Sequence, residues 1–129
     1  MATVLLAEDD ADIRYLVTFK LTRAGYQVKV FGDGLSALAA ARENPPELAV
    51  LDAMMPGLSG LDVCRELRKD PATAKIPVII LTALAQEADI AAGFAAGAAD
   101  YIVKPFSPRE FALRVDAVLA RAQADPPPQ

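Results

Sequence analysis

Short apolar runs alternate along this chain with stretches whose apolar residues recur every three or four positions. Runs of this kind, nearly free of charge, suit strands buried on both faces. They occupy residues 4–7, 27–31, 48–51, 78–81 and 101–103. Between them the period becomes helical. Ile13, Leu16, Val17, Leu21 and Ala24 share one stripe, and Gly25 is placed to stop it. Residues 35–43 predict a second helix, ended by Pro45-Pro46. A third spans residues 61–69 and ends at Asp70-Pro71, and an alanine-rich fourth spans 87–96 and closes at Gly97. The fifth has the clearest start. Ser107 stands at the N-cap, Pro108 at the first helical position and Glu110 where a capping box takes a carboxylate. Phe111, Val115, Val118, Leu119 and Ala122 then form its apolar stripe.

Five strand–helix pairs predict an α/β domain with a parallel sheet covered on both faces. Five units of this size suggest a doubly wound sheet in the order 2-1-3-4-5. Strands one and three then meet at a switch point, where open sheets of this class bind ligands. The domain is expected over residues 1–122. Residues 123–129, rich in proline, read as a tail or linker stub.

Composition narrows the chemistry. At 129 residues and 53% hydrophobic, the chain supports one domain with a real core. A net charge of −4 argues against a nucleic-acid surface within these residues, because phosphate contacts need clustered Lys and Arg. Histidine is absent, which removes histidine acid–base chemistry, Ser-His-Asp triads and histidine-ligated zinc. The single cysteine, Cys64, forms no internal disulfide and sits at a core position of the third helix pattern. No apolar stretch approaches the roughly 20 residues that span a bilayer. No basic region precedes Val4 as in a signal peptide, so a cytoplasmic location is expected.

The polar residues at the strand ends carry the functional signal. Glu8 and Asp9 follow the first strand, Asp52 the third, Thr82 the fourth and Lys104 the fifth. In a parallel sheet these ends share one edge, with neighbouring strands about 4.8 Å apart. Asp9 and Asp52 therefore converge. Clustered carboxylates suit a hard dication, with magnesium favoured where protein oxygens are few and waters complete the shell. Taken singly, each residue has a plainer reading. Asp10 reads best as the N-cap of the next helix, Asp52 could cap a turn, and Thr82 and Lys104 are ordinary at strand ends. Their convergence from four strands on one edge favours a site.

The chain resembles the receiver domain of bacterial two-component response regulators. The resemblance rests on "LLAEDD" at the first strand, "LDAMMPGLSG" around Asp52, "PVIILTA" around Thr82 and "GAADYIVKPFSP" around Lys104, and covers about residues 3–122. It implies a flavodoxin-like (βα)5 three-layer fold and a phosphorylation-dependent signalling switch. By resemblance, Asp52 is the phosphoacceptor and Asp9 a direct ligand of Mg2+. Glu8 holds the ion through water, and the Met54 main-chain carbonyl supplies a third protein oxygen. Thr82 and Lys104 bind the phosphoryl group, Tyr101 is the aromatic switch, and the Lys104–Pro105 peptide is cis. The implied partner is a sensor histidine kinase or phosphotransfer protein. The segment around Lys104 looks most like receivers attached to winged-helix DNA-binding domains, which pair through helix four, strand five and helix five once phosphorylated. Asp100, Glu110 and Arg114 fall on that face. Ile90 and Phe94 make it apolar, unless they pack inward on the sheet.

Three rivals share parts of this pattern. A phosphohydrolase of the haloacid-dehalogenase type carries Asp-x-Asp after its first strand, whereas Asp52 follows the third and precedes Ala53 and Met54. A nucleotide-binding module would carry Gly-x-Gly-x-x-Gly after the first strand, where acids stand instead. A degenerate receiver would lack the acids, Thr82 or Lys104.

Overall fold

The computed structural model describes residues 2–124. Strands and helices alternate without exception: β1 (Thr3–Ala7), α1 (Ala11–Arg23), β2 (Gln27–Phe31), α2 (Gly34–Glu43), β3 (Leu48–Asp52), α3 (Gly60–Lys69), β4 (Val78–Thr82), α4 (Glu87–Ala95), β5 (Asp100–Val103) and α5 (Pro108–Ala124). All four strand pairings are parallel, in the order β2-β1-β3-β4-β5. The expected α/β architecture and strand order are both present.

Alternation along each strand builds two cores. Leu5, Leu51, Ile80 and Tyr101 face α2, α3 and α4, where Leu38, Val63 and Leu67 meet them. Leu6, Val50, Ile79 and Ile102 face α1 and α5, against Val17, Leu21, Phe111 and Val115. Successive side chains point to opposite faces, so uninterrupted apolar strands are needed to feed both layers. At the edge, β2 is half-exposed and carries Lys29.

Most helix boundaries follow local signals. Asp10 is the N-cap of α1, accepting from the N–H groups of Asp12 and Ile13 at 2.9 and 3.1 Å. Gly25, at φ +98°, terminates that helix in a left-handed conformation open to glycine. Two details depart from the sequence pattern. In α1 only Val17 and Leu21 are buried, while Leu16 is 40% exposed and Ala24 lies at the surface. A helix pinned between one strand layer and α5 needs only a narrow i, i+4 seam. At α5, Ser107 Oγ accepts from the Glu110 N–H at 3.2 Å, but the Glu110 carboxylate pairs with Arg114 at 3.1 Å, so half of the box forms. Helix α5 also runs two residues past its expected end. The rest of the proline-rich tail lies outside the described residues. Among the described residues, no helix is long and apolar enough to cross a membrane.

Candidate functional site

Pairing of strands continues one residue beyond the apolar runs of β3 and β4. Asp52 sits opposite Leu81 and Thr82 opposite Val103. Both polar side chains are thus held by sheet backbone and are buried. Glu8 follows β1 directly, and its N–H donates to the Phe31 carbonyl at 3.0 Å. Its side chain is fully buried. Asp9, next in the chain, is exposed. One carboxylate oxygen from each of Glu8, Asp9 and Asp52 lies within 4.8 Å of the other two.

Lys104, the residue after β5, spans the group. Its ammonium lies 2.8 Å from Glu8 Oε1 and 3.3 Å from Asp52 Oδ2. Asp52 Oδ1 accepts from the Met54 N–H at 3.0 Å, and Glu8 Oε2 from the Asp10 N–H at 3.1 Å. Glu8 Oε1 meets the ammonium by charge alone and has no hydrogen bond of good geometry. The Lys104–Pro105 peptide is cis.

Electrostatics separates the two buried acids. Burial, reinforced by the hydrogen bond to Asp52, pushes the Glu8 carboxyl up to about 7. Burial also opposes ionisation of Asp52. The Glu8 carboxyl, the Met54 N–H and the Lys104 charge outweigh it and hold Asp52 below the usual carboxylate range. Lys104 also loses hydration by burial, yet Glu8 and Asp52 raise its affinity for the proton. The two buried acids are thus driven apart, Glu8 toward the protonated form and Asp52 toward the ionised one.

This donor set fits a hard divalent cation. Three carboxylates face one ammonium, and an oxygen of the buried Glu8 lacks a hydrogen bond. Oxygen-only donors with one exposed side at Asp9 match a hard dication better than a soft metal.

Of the residues singled out in the sequence, Glu8, Asp9, Asp52 and Lys104 come together directly. Thr82 is tied in through the backbone, its carbonyl accepting from the Lys104 N–H at 2.8 Å. Its Oγ1 accepts from the Leu84 N–H at 3.1 Å. Met54, 59% exposed, and the partly exposed Leu84 carry their apolar side chains two residues past Asp52 and Thr82. Tyr101 stands apart from the acids. Its ring is buried on the α4 side of β5, and its hydroxyl donates to the Leu84 carbonyl at 2.9 Å.

The sequence reading missed Arg14. Its guanidinium donates to the carbonyls of Glu8 and Asp9 at 2.8 and 3.1 Å and holds the acid-bearing turn in place. A lone basic residue in the second turn of a helix has no pattern that separates it from a solvated charge. Cys64 is buried as expected, its thiol donating to the Ala96 carbonyl at 3.3 Å, and burial pushes it up in pKa.

Comparison with known proteins bears on this geometry. Residues 4–116 match the family model described as "Response regulator receiver domain". The DNA-binding response regulator MtrA of Mycobacterium tuberculosis is 43% identical over 123 residues, 95% of this chain and 53% of that protein. The probable transcriptional regulator ycf27 of Porphyra purpurea is 45% identical over 119 residues, 92% of this chain and 48% of that protein. The chain therefore spans about half the length of the curated relatives it matches. Among solved structures, a putative response regulator from Chloroflexus aurantiacus superposes with a TM-score of 0.89 at 37% identity, covering 93% of this chain and 98% of that one. A beryllofluoride-activated DrrB receiver domain does so at 0.82 and 36% identity, covering 94% and 99%.

Proposed function

The chain belongs to the family of response regulator receiver domains, and on that premise we propose that it is a switch phosphorylated on Asp52. The observation that carries this reading is the Lys104 ammonium set between Glu8 and Asp52, with Asp9 closing the carboxylate cluster. The donor is a phosphohistidine on a sensor histidine kinase or a phosphotransfer protein. An ionised Asp52 oxygen bonds to phosphorus as the phosphorus–nitrogen bond of the donor breaks, and the departing imidazole keeps the electron pair.

Glu8, Asp9, Asp52 and the Met54 main-chain carbonyl would hold Mg2+, with Glu8 acting through water. When bound, the ion supplies charge neutralisation at the phosphoryl oxygens. Lys104 pairs with a further oxygen, and Thr82 donates its hydroxyl proton to another. The chain accepts a phosphoryl group and releases it slowly; it is not a turnover enzyme. Ala53 and Met54 offer no general acid, and the apolar side chains of Met54 and Leu84 cannot orient an attacking water. The acyl phosphate is therefore expected to last minutes or longer.

The acquired phosphate adds roughly −1.5 to −2 of charge. It acts on the α4–β5–α5 face through Thr82 and Tyr101. Phe94 of α4 is exposed, and Ile90 packs partly against the core. Arg114 pairs within its own chain, with Asp100 at 3.0 Å and Glu110 at 3.1 Å. Self-association after phosphorylation would then rest mainly on apolar burial and resist salt. Relatives named as a DNA-binding response regulator and a probable transcriptional regulator support control of an output domain or a partner protein, in a cytoplasmic setting. The described residues themselves make no nucleic-acid contact in this reading.

The test is intact mass after incubation with Mg2+ and a small phosphodonor. One added phosphoryl group that Asp52→Asn abolishes supports the switch. Many equivalents of released phosphate support a hydrolase, and an unmodified chain supports a binding module. Sedimentation with and without beryllofluoride, at low and high salt, tests the dimer. A monomer under every condition removes it.

A further inference from the structure

We propose that Gly93 is the seat of the Tyr101 ring, and that the missing side chain on α4 is what lets this residue take its inward position. Gly93 is the buried residue of α4, in a helix whose other positions are exposed or half-buried. A Cβ built on it would lie 2.6 Å from Tyr101 Cδ1 and 2.8 Å from Cε1. Carbon atoms in contact settle near 3.5–4.0 Å, about an ångström farther apart. The ring edge therefore lies in a notch that glycine leaves in the helix wall.

The inward ring also carries a polar tie. The Tyr101 hydroxyl donates to the Leu84 carbonyl, while the Leu84 N–H donates to Thr82 Oγ1. One residue's backbone thus joins the phosphoryl-facing hydroxyl to the aromatic ring. The ring in turn touches the α4 backbone with no side chain between. A glycine in a helix interior lowers helix stability, so its place here needs a tertiary reason, and ring contact supplies one. The inference rests on the switch reading for its signalling meaning, but the seat itself is a property of packing. Any Cβ at position 93 must turn the ring outward, break the bond to Leu84, or lift α4 from the sheet.

The experiment is a two-by-two series of the whole chain: wild type, Gly93→Ala, Tyr101→Ala and the double variant, all followed by thermal unfolding. Gly93→Ala should lower the melting temperature when Tyr101 is present. The same substitution should raise it in the Tyr101→Ala background, where only the better helix propensity of alanine remains. If Gly93→Ala does not fold and the double variant does, the seat stands. Equal shifts in both backgrounds, or failure of both variants to fold, overturn it. With 3-fluorotyrosine incorporated, the Tyr101 fluorine resonance should move in Gly93→Ala toward a solvent-exposed value, and an unmoved resonance also overturns the proposal. These readings need no phosphodonor. Should none of the variants gain a phosphoryl group at Asp52, the switch reading falls while the seat is judged separately.

Discussion

Helices α3 and α4 lie side by side on one face of the sheet and are held in opposite ways. Helix α3 drives Val63, Cys64 and Leu67 into the core beneath β3 and β4. Helix α4 buries one glycine and leaves Phe94 47% exposed. Its fastening is at its C-terminal end. Cys64 of α3 donates to Ala96, and Arg68 of α3 donates to the carbonyls of Gly97 and Ala74 at 2.8 and 3.1 Å. Its N-terminal end is held by no such side chain from α3, and Gln86 and Glu87 are exposed. The difference teaches where a signal can be expressed. An element with little buried apolar area opens at low free energy, which would make the C-terminal end of α4, where α3 grips it, the hinge. In the proposed switch, the rigid neighbour stays in place and the loose one has freedom to respond.

Truncating the rigid helix should have the largest effect. Leu67→Ala removes a buried side chain and should lower unfolding free energy by about 2–5 kcal/mol, whereas Phe94→Ala on α4 should change it by no more than about 1 kcal/mol. Urea titration of both variants measures the contrast, and comparable losses would erase it. Next comes the grip itself. Arg68→Ala leaves the Gly97 and Ala74 carbonyls without their charged donor, at about 2 kcal/mol. Hydrogen exchange should then quicken in α4 more than in α3, and an even acceleration would place the hinge elsewhere.

A third test separates pocket from helix by pH. The folded Glu8 carboxyl, at about 7, lies above its ordinary value of 4.5. Between those values the folded chain keeps a proton that the unfolded chain has released. Stability without Mg2+ should therefore fall by about 1–3 kcal/mol as pH rises from about 4.5 to about 7. Asp52 has the opposite sign. Its depressed value stabilises the fold above the normal carboxylate range, and this is lost in acid. Mg2+ should flatten the decline by favouring the ionised carboxylates, and Asp9→Asn should weaken that effect. A pH profile unchanged by Mg2+ would argue against the ion site. The smallest effect concerns lifetime. Met54→Asn puts a polar group two residues past Asp52, the proposed phosphoryl site, and should change the hydrolysis rate within about tenfold, near 1.4 kcal/mol in barrier, with α4 exchange unchanged. Identical decay curves would exclude Met54 from control of water access.

The strands, the helices and their parallel order could be read from hydrophobic period because each strand must feed two core layers and each helix one. The same logic made Asp52, Thr82 and Lys104 conspicuous, as polar residues where buried runs stop. Arg14 was not legible, since nothing in its neighbours distinguishes a guanidinium folded back onto Glu8 and Asp9 from one in water. Nor was the role of Gly93, because a glycine in an alanine-rich helix reads only as a weak point until the Tyr101 ring is seen against it. Leu16 shows the converse: its period placed it inward, and the narrow seam of α1 left it out. Sequence alone determined which residues alternate, where runs end and which charges stand at those ends, all properties of chain periodicity. Tertiary structure decided which buried acid is pushed up in pKa and which down, which helix is held firmly and where the aromatic ring rests. Those depend on desolvation and contact between residues far apart in the chain, which no local pattern encodes.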